Sequence, residues 1–119
     1  MEKLLPDNHG IYLANFFVDM RKSIDSLSLL VCEHFDQNPA SGSVYVFLNK
    51  SRNKIKILYF DRNGFVLWYK RLERGRFILS KTPDEKVYAL SESQLRWLLD
   101  GLDFMSLRGH PKLHYDTFA

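Results

Sequence analysis

The chain has 119 residues, of which 45% are hydrophobic and 26% charged, and its formal net charge is +3. This length and composition are typical of one globular domain and exclude a largely disordered chain. The single cysteine, Cys32, excludes an internal disulfide, and the first residues lack the apolar segment of a signal peptide or membrane span. We therefore expect a cytoplasmic protein that forms a single domain over residues 1–119 and has no membrane partner.

The first predicted elements are a short apolar strand and an amphipathic helix. Residues 11–17 form the strand, and Asp19 follows as a candidate N-cap. The predicted helix ends before Asn38-Pro39, and Cys32 is expected to be a buried structural thiol within it. Its apolar stripe recurs at three- and four-residue steps: Met20, Ile24, Leu27, Val31 and Phe35.

Three more strands and a second helix follow along the chain. Residues 44–48 are wholly apolar and predict a buried strand. Residues 54–60 and 65–72 flank a turn and predict a hairpin with either a two-residue or a three-residue loop. A capping box at Ser91 and Gln94 predicts the start of the second helix.

These elements predict an α+β fold in one small domain. We expect an antiparallel β-meander of three to five strands, with both helices packed on one face because each has an apolar stripe to cover. The core is expected at about residues 11–104, and residues 105–119 are expected to form an irregular tail.

Positive charge is concentrated in one third of the chain. Ten of the seventeen cations and two of the fourteen acids lie between Lys50 and Lys81, so this third is basic and the remainder acidic. Such asymmetry is typical of a surface that meets polyanions, although a solvated strand edge rich in lysine produces the same pattern.

The predicted hairpin places cations opposite each other in either register. Lys56 faces Arg71 with a two-residue loop and Lys70 with a three-residue loop, and such like-charge pairs cost up to about 1 kcal/mol. Two explanations remain open. Either Glu73 lies between the cations, or they bind an anion from outside the protein.

A second basic pair, Arg21 and Lys22, is predicted in the first turn of the first helix. The helix dipole disfavours cations at that end. Either Arg21 forms a local salt bridge with Asp25, or both cations join the free N–H groups of the helix start in a phosphate site.

Motifs for catalysis are absent from the sequence. It contains no glycine-rich phosphate loop, no nucleophile elbow and no carboxylate set suited to two-metal catalysis. The histidines lack the cysteine partners of a zinc site. We therefore expect a protein that is not an enzyme and has no metal site and no cofactor.

Three segments of the chain carry motifs of a known family. They are DMRKSIDSLSLLV, SGSVYVFLNKSRNKIKILYFDRNGF and LWYKRLERGRF. In these segments the chain resembles the TnpB-type accessory protein of the insertion-sequence sixty-six transposon family, the Orf2-like product of its second open reading frame. The resemblance runs from about Ile11 to Leu102. It implies a small protein without assigned catalytic residues that is encoded beside a transposase and needed with it for transposition.

Charge and resemblance together predict a non-catalytic accessory protein for DNA transposition. We expect it to act through a basic-aromatic surface that binds DNA, the transposase of the same element, or both. DNA binding is expected to be weak and directed at phosphates, because no recognition helix is evident. The predicted surface comprises Arg21, Lys22, Lys56, Arg62, Lys70, Arg71, Arg74 and Arg76.

Two alternative functions remain open at this point. A small basic ribonuclease of toxin type would use Tyr69, Arg71 and Arg74 to cleave RNA. A pure protein-interaction module would use Phe65, Leu67 and Tyr69 as its anchor patch.

Overall fold

The structure is a computed structural model that describes residues 10–79 and 85–105. Its elements are, in chain order, β1 (Ile11–Phe17), α1 (Ile24–Leu30), a π-helical turn (Val31–Phe35), β2 (Val44–Leu48), β3 (Lys54–Asp61), β4 (Gly64–Arg71), β5 (Val87–Leu90) and α2 (Glu92–Leu99). The predicted strands agree with β1 and β2, and with β3 and β4 to within one residue. The sequence pattern did not assign β5, because so short an apolar run shows no clear period.

The strands form one five-stranded sheet in the order β4-β3-β2-β1-β5. β2, β3 and β4 make the predicted antiparallel meander, and β5 runs antiparallel to β1. β1 and β2 are parallel, so the expectation of a wholly antiparallel sheet is wrong for this pair. The reason is the connection between them, since α1 lies in a crossover that returns the chain to the same end of the sheet.

The two helices cover opposite faces of the sheet. Val44, Val46 and Leu48 of β2 point into the apolar cluster beneath α2. Tyr45 and Phe47 point into the cluster that contains the buried side of α1. All five side chains are buried, as expected for a strand covered on both sides. The α+β class with five strands and two helices is confirmed, but the placement of both helices on one face is wrong.

The first helix begins later than its sequence predicts. Asp19 belongs to a turn at residues 19–22, in which the Lys22 N–H donates to the Asp19 carbonyl at 3.0 Å. Ser23 is the N-cap instead, and its N–H donates to Ser26 Oγ at 3.0 Å. The basic pair of residues 21–22 therefore precedes the helix and does not lie in its first turn.

The predicted stripe of the first helix is buried at its centre, but Cys32 lies outside it. Leu27, Val31 and Phe35 are buried. Cys32 is exposed, so the expected buried thiol is wrong. Successive helical residues are about 100° apart, and the residue after an inward-facing Val31 therefore turns away from the core.

The second helix begins as predicted. The Gln94 N–H donates to Ser91 Oγ at 3.1 Å, and the Ser91 N–H donates to Gln94 Oε1 at 2.9 Å. Leu95 and Leu98 pack into the core, and Gly101 follows the helix with a φ of 79°. The predicted tail falls almost wholly on residues 106–119, which lie outside the described residues, so the domain bounds stay a prediction.

Candidate nucleic-acid interface

The β3–β4 hairpin has a register that the sequence did not predict. Its two-residue loop is residues 62–63, one position earlier than the two-residue loop considered from the sequence. Lys56 therefore faces Tyr69, and Lys70 faces Ile55. The expectation that Lys56 faces a cation is wrong, because moving the loop by one position moves each facing partner by two.

Lys56 is a structural cation. Its Nζ donates hydrogen bonds to the carbonyl oxygens of Met20 and Lys22, each at 2.7 Å. The same Nζ lies 5.7 Å from the centre of the Tyr69 ring. This ammonium group connects β3 to the turn at residues 19–22 and holds one side of the Tyr69 ring.

Lys70 also binds backbone, on the other face of the sheet. Its Nζ donates to the carbonyl oxygen of Leu99 at 2.9 Å. Leu99 is the last residue of α2, where carbonyl groups lack helical partners and the helix dipole favours a cation. Because Lys70 and Arg71 are neighbours in a strand, their side chains point to opposite faces. The predicted basic residues therefore do not all converge on one surface.

Arg21 is paired with Asp19, and not with Asp25 as one sequence interpretation proposed. Arg21 Nη2 lies 2.6 Å from Asp19 Oδ2, and the Arg21 backbone N–H donates to Asp19 Oδ1 at 2.8 Å. These hydrogen bonds, from the side chain first and then from the backbone, lower the pKa of Asp19 to about 2. Both partners are exposed, so the pair sets the shape of the turn more than it stabilises the fold.

We expect Arg21→Ala to raise the pKa of Asp19 from about 2 toward its ordinary value of 3.8. The ionised carboxylate contributes stability above its ordinary pKa, and that contribution is lost as the pH falls through the lower folded-state value. Titration of the carboxyl carbon by NMR measures the shift, with Arg62→Ala as the control. An Asp19 pKa that is the same in both variants would contradict this account of the turn.

The remaining predicted cations lie at different places. Arg62 lies in the hairpin loop, 3.6 Å from Asp61, and eight-residue β4 separates it from Arg71 by roughly 23 Å. Arg71 Nε lies 2.9 Å from Glu73 Oε2, so it has the carboxylate partner that one sequence interpretation proposed. The last two cations, Arg74 and Arg76, are exposed in the segment after β4.

An open groove of about 600 Å³ lies between the end of β1, the turn at residues 19–22, the β2–β3 loop and β4. Three of its lining residues are cations and one is an acid. Two are aromatic rings, and each ring is about half exposed: Phe17 at 49% and Tyr69 at 48%. Its lining comprises Phe17, Val18, Asp19, Met20, Arg21, Asn49, Lys50, Ser51, Lys54 and Tyr69.

The β2–β3 loop is held in place by the side chain of Asn49. Asn49 Oδ1 accepts from the backbone N–H groups of Asn53 and Lys54 at 3.1 and 2.9 Å. Asn49 Nδ2 donates to Asn53 Oδ1 at 2.8 Å. The loop therefore presents Lys50 and Ser51 to the groove from a backbone with a defined shape.

The groove has a surplus of positive charge. Its one acid, Asp19, is already paired with Arg21. Among the described residues, no carboxylate lies within salt-bridge distance of Lys50 or Lys54. Lys54 also faces Arg71 across the hairpin, which is the cation pair that exists in the structure. Arg71 is paired with Glu73 and does not line the groove, so the surplus charge of the groove itself comes from Lys50 and Lys54.

Sequence reasoning missed Phe17, Lys50 and Lys54 as site residues. From the sequence, Phe17 was assigned only to the first predicted strand. Lys50 and Lys54 were counted among the cations of the basic third of the chain but were not predicted to bind a ligand. Lys54 and Lys56 are two positions apart in one strand and so share a face, a signal that was available. The groove itself depends on four chain segments that meet only in the folded protein.

Two further findings concern residues 10–79 and 85–105 alone. No three side chains of the His, Cys, Asp or Glu type come together there in a way that could hold a metal ion. No helix within these ranges is long and apolar enough to cross a membrane. Three of the four histidines, His9, His110 and His114, lie outside the described residues.

Comparison with known proteins decides the family. The sequence model of the family described as IS66 Orf2 like protein matches residues 9–109. The chain belongs to the IS66 Orf2-like family. The resemblance seen in its three segments is thus confirmed, and family membership supports an accessory role in transposition, in association with the transposition machinery of the element.

Two relatives of this IS66 Orf2-like chain come from Sinorhizobium fredii (strain NBRC 101917 / NGR234). The uncharacterized protein y4hO is 36% identical over 97 residues, which cover 82% of this chain and 84% of the relative. The uncharacterized protein y4jC is 30% identical over 101 residues, which cover 85% and 86%. No solved structure shows significant similarity to the chain.

Proposed function

We propose that this protein is a non-catalytic accessory factor of transposition that binds DNA phosphates through the basic groove. The observation that supports this proposal most directly is the pair of unmatched ammonium groups, Lys50 and Lys54, beside an acid that Arg21 already neutralises. Lysine ammonium groups are common partners of DNA phosphates, and within the part of the chain that the structure describes these two are not already bonded to carbonyl groups as those of Lys56 and Lys70 are. The transposase of the same element is the second proposed partner.

The groove supports weak binding without sequence preference. Lys56 and Lys70 are already bonded to backbone carbonyls, and Arg62 is at the far end of the hairpin. Arg21, Lys50 and Lys54 remain at the groove, with Lys22, Arg71, Arg74 and Arg76 as the other candidates from the predicted surface. Contact with about three or four phosphates gives a slope of log affinity against log salt concentration of roughly −3 to −4.

Reversal of the two groove lysines tests this proposal. We expect Lys50→Glu with Lys54→Glu to weaken binding to a labelled DNA duplex by tenfold or more at about 0.1 M salt and to reduce the slope by about 2. The matched control is Arg62→Glu with Lys86→Glu, which changes net charge equally at exposed positions outside the groove. The control is expected to change affinity by less than about threefold.

Fluorescence anisotropy over a salt series measures both quantities, and circular dichroism confirms that the variants fold. Equal losses in the two double variants would show that only net charge matters and would refute the groove as the site. Unchanged binding in the lysine variant would refute it as well.

A further inference from the structure

We infer that the groove binds a single-stranded segment of DNA, with bases stacked on the rings of Phe17 and Tyr69 and phosphates against Lys50 and Lys54. This inference rests on the proposed function and assigns the form of nucleic acid that the site takes. The inference follows from the two exposed rings in the groove, because a site that binds only phosphates does not need aromatic side chains.

Within residues 10–79 and 85–105, the most exposed aromatic side chains both lie in this groove. Four large hydrophobic side chains are exposed among the described residues: Phe17, Leu29, Tyr69 and Ile78. The two aromatic members of this group both line the groove. A ring left about half exposed gives up hydrophobic stabilisation, so two such rings in one basic groove indicate a ligand with flat apolar faces.

Both rings are carried by well-anchored segments. Tyr69 lies in β4 with one side of its ring near Lys56 Nζ, and that ammonium group is itself bonded to two carbonyl oxygens. Phe17 ends β1 in register with Leu48, and the next N–H, that of Val18, donates to the Leu48 carbonyl at 2.9 Å. Rings in fixed positions lose little freedom on binding, which favours stacking.

The combination of rings and lysines selects single strands over duplex. Proteins that bind single strands without sequence preference place aromatic side chains beside a positive groove that follows the backbone. In a duplex the base faces are stacked on each other and cannot reach a protein ring. An open groove of about 600 Å³ is within the size range of small-ligand sites, which is enough room for unstacked nucleotides.

The test compares three labelled DNA probes by fluorescence anisotropy: an oligothymidylate of about ten nucleotides, an abasic strand of the same length, and a duplex. For the unmodified protein we expect the oligothymidylate to bind at least tenfold more tightly than the abasic strand. The variant Phe17→Leu with Tyr69→Leu keeps apolar bulk and removes the rings. It should lose that advantage and bind the oligothymidylate no more than about twofold more tightly than the abasic strand.

Leu29→Ala is the control, since it changes an exposed apolar residue that does not line the groove. If the ring variant binds the oligothymidylate as the unmodified protein does, while the lysine reversals abolish binding, the inference is refuted and the proposed function stands. If the unmodified protein binds neither strand nor duplex, both are refuted. An oligouridylate of the same length serves as a fourth probe, and tighter binding of this RNA than of the oligothymidylate would refute the assignment to DNA.

Discussion

Phe47→Ala is expected to lower the free energy of unfolding by about 3–5 kcal/mol, the largest effect we predict for a single substitution. Phe47 is fully buried in β2, the middle strand of the sheet. Its ring packs edge-on against Phe35 of the π-helical turn, with 5.6 Å between ring centres. Removing the ring leaves a cavity between the sheet and the segment that contains α1. The surrounding side chains are closely packed and cannot move far enough to fill it.

Urea denaturation followed by circular dichroism measures this loss. Domains of this size are stable by only about 5–15 kcal/mol, so the variant is expected to unfold at a much lower urea concentration. Phe17→Ala is the matched control, because Phe17 is half exposed at the end of β1, and it should cost about 1 kcal/mol or less. Similar losses for the two variants would contradict the packing of this face.

Lys56→Met is expected to lower the free energy of unfolding by about 2–3 kcal/mol. Methionine keeps the apolar stem of the side chain, so the change removes the ammonium group and little else. The carbonyl oxygens of Met20 and Lys22 each lose a charged donor at 2.7 Å, and the turn at residues 19–22 loses its link to β3.

Lys54→Met is the control for this second prediction. Lys54 lies two positions away on the same strand and the same face, but its ammonium group has no described ion pair and faces Arg71. We expect this variant to change stability by about 0.5 kcal/mol or less in either direction. Equal effects on the urea midpoint in the two variants would show that the Lys56 hydrogen bonds contribute nothing beyond those the group makes with water.

The same pair of variants separates the structural cation from the binding cation. Lys54→Met is expected to weaken DNA binding while leaving stability nearly unchanged. The main effect of Lys56→Met is expected to be a lower free energy of unfolding. The sequence pattern predicted Lys56, and not Lys54, as a residue of the binding surface. The two lysines differ only in which groups face them after folding.

The sequence by itself determined the features that depend on neighbouring residues. The capping box at Ser91 and Gln94 places the start of α2, because its hydrogen bonds join residues three positions apart. The unbroken apolar run of β2 indicates burial on both sides. The presence of a turn between β3 and β4, the α+β class and the family likewise follow from short stretches of sequence: turn residues, the order of the predicted elements and family motifs.

Only the tertiary structure decided the hairpin register, the helix faces and the partners of the cations. A loop one position earlier brings Tyr69 opposite Lys56, and the register depends on the turn geometry together with the hydrophobic pattern of both strands. The carbonyl partners of Lys56 are 36 and 34 positions away in the chain, and that of Lys70 is 29 positions away. Nothing in the local sequence distinguishes Lys56 and Lys70 from Lys54. The sequence shows that each side chain is charged, but tertiary packing decides which group accepts its hydrogen bonds.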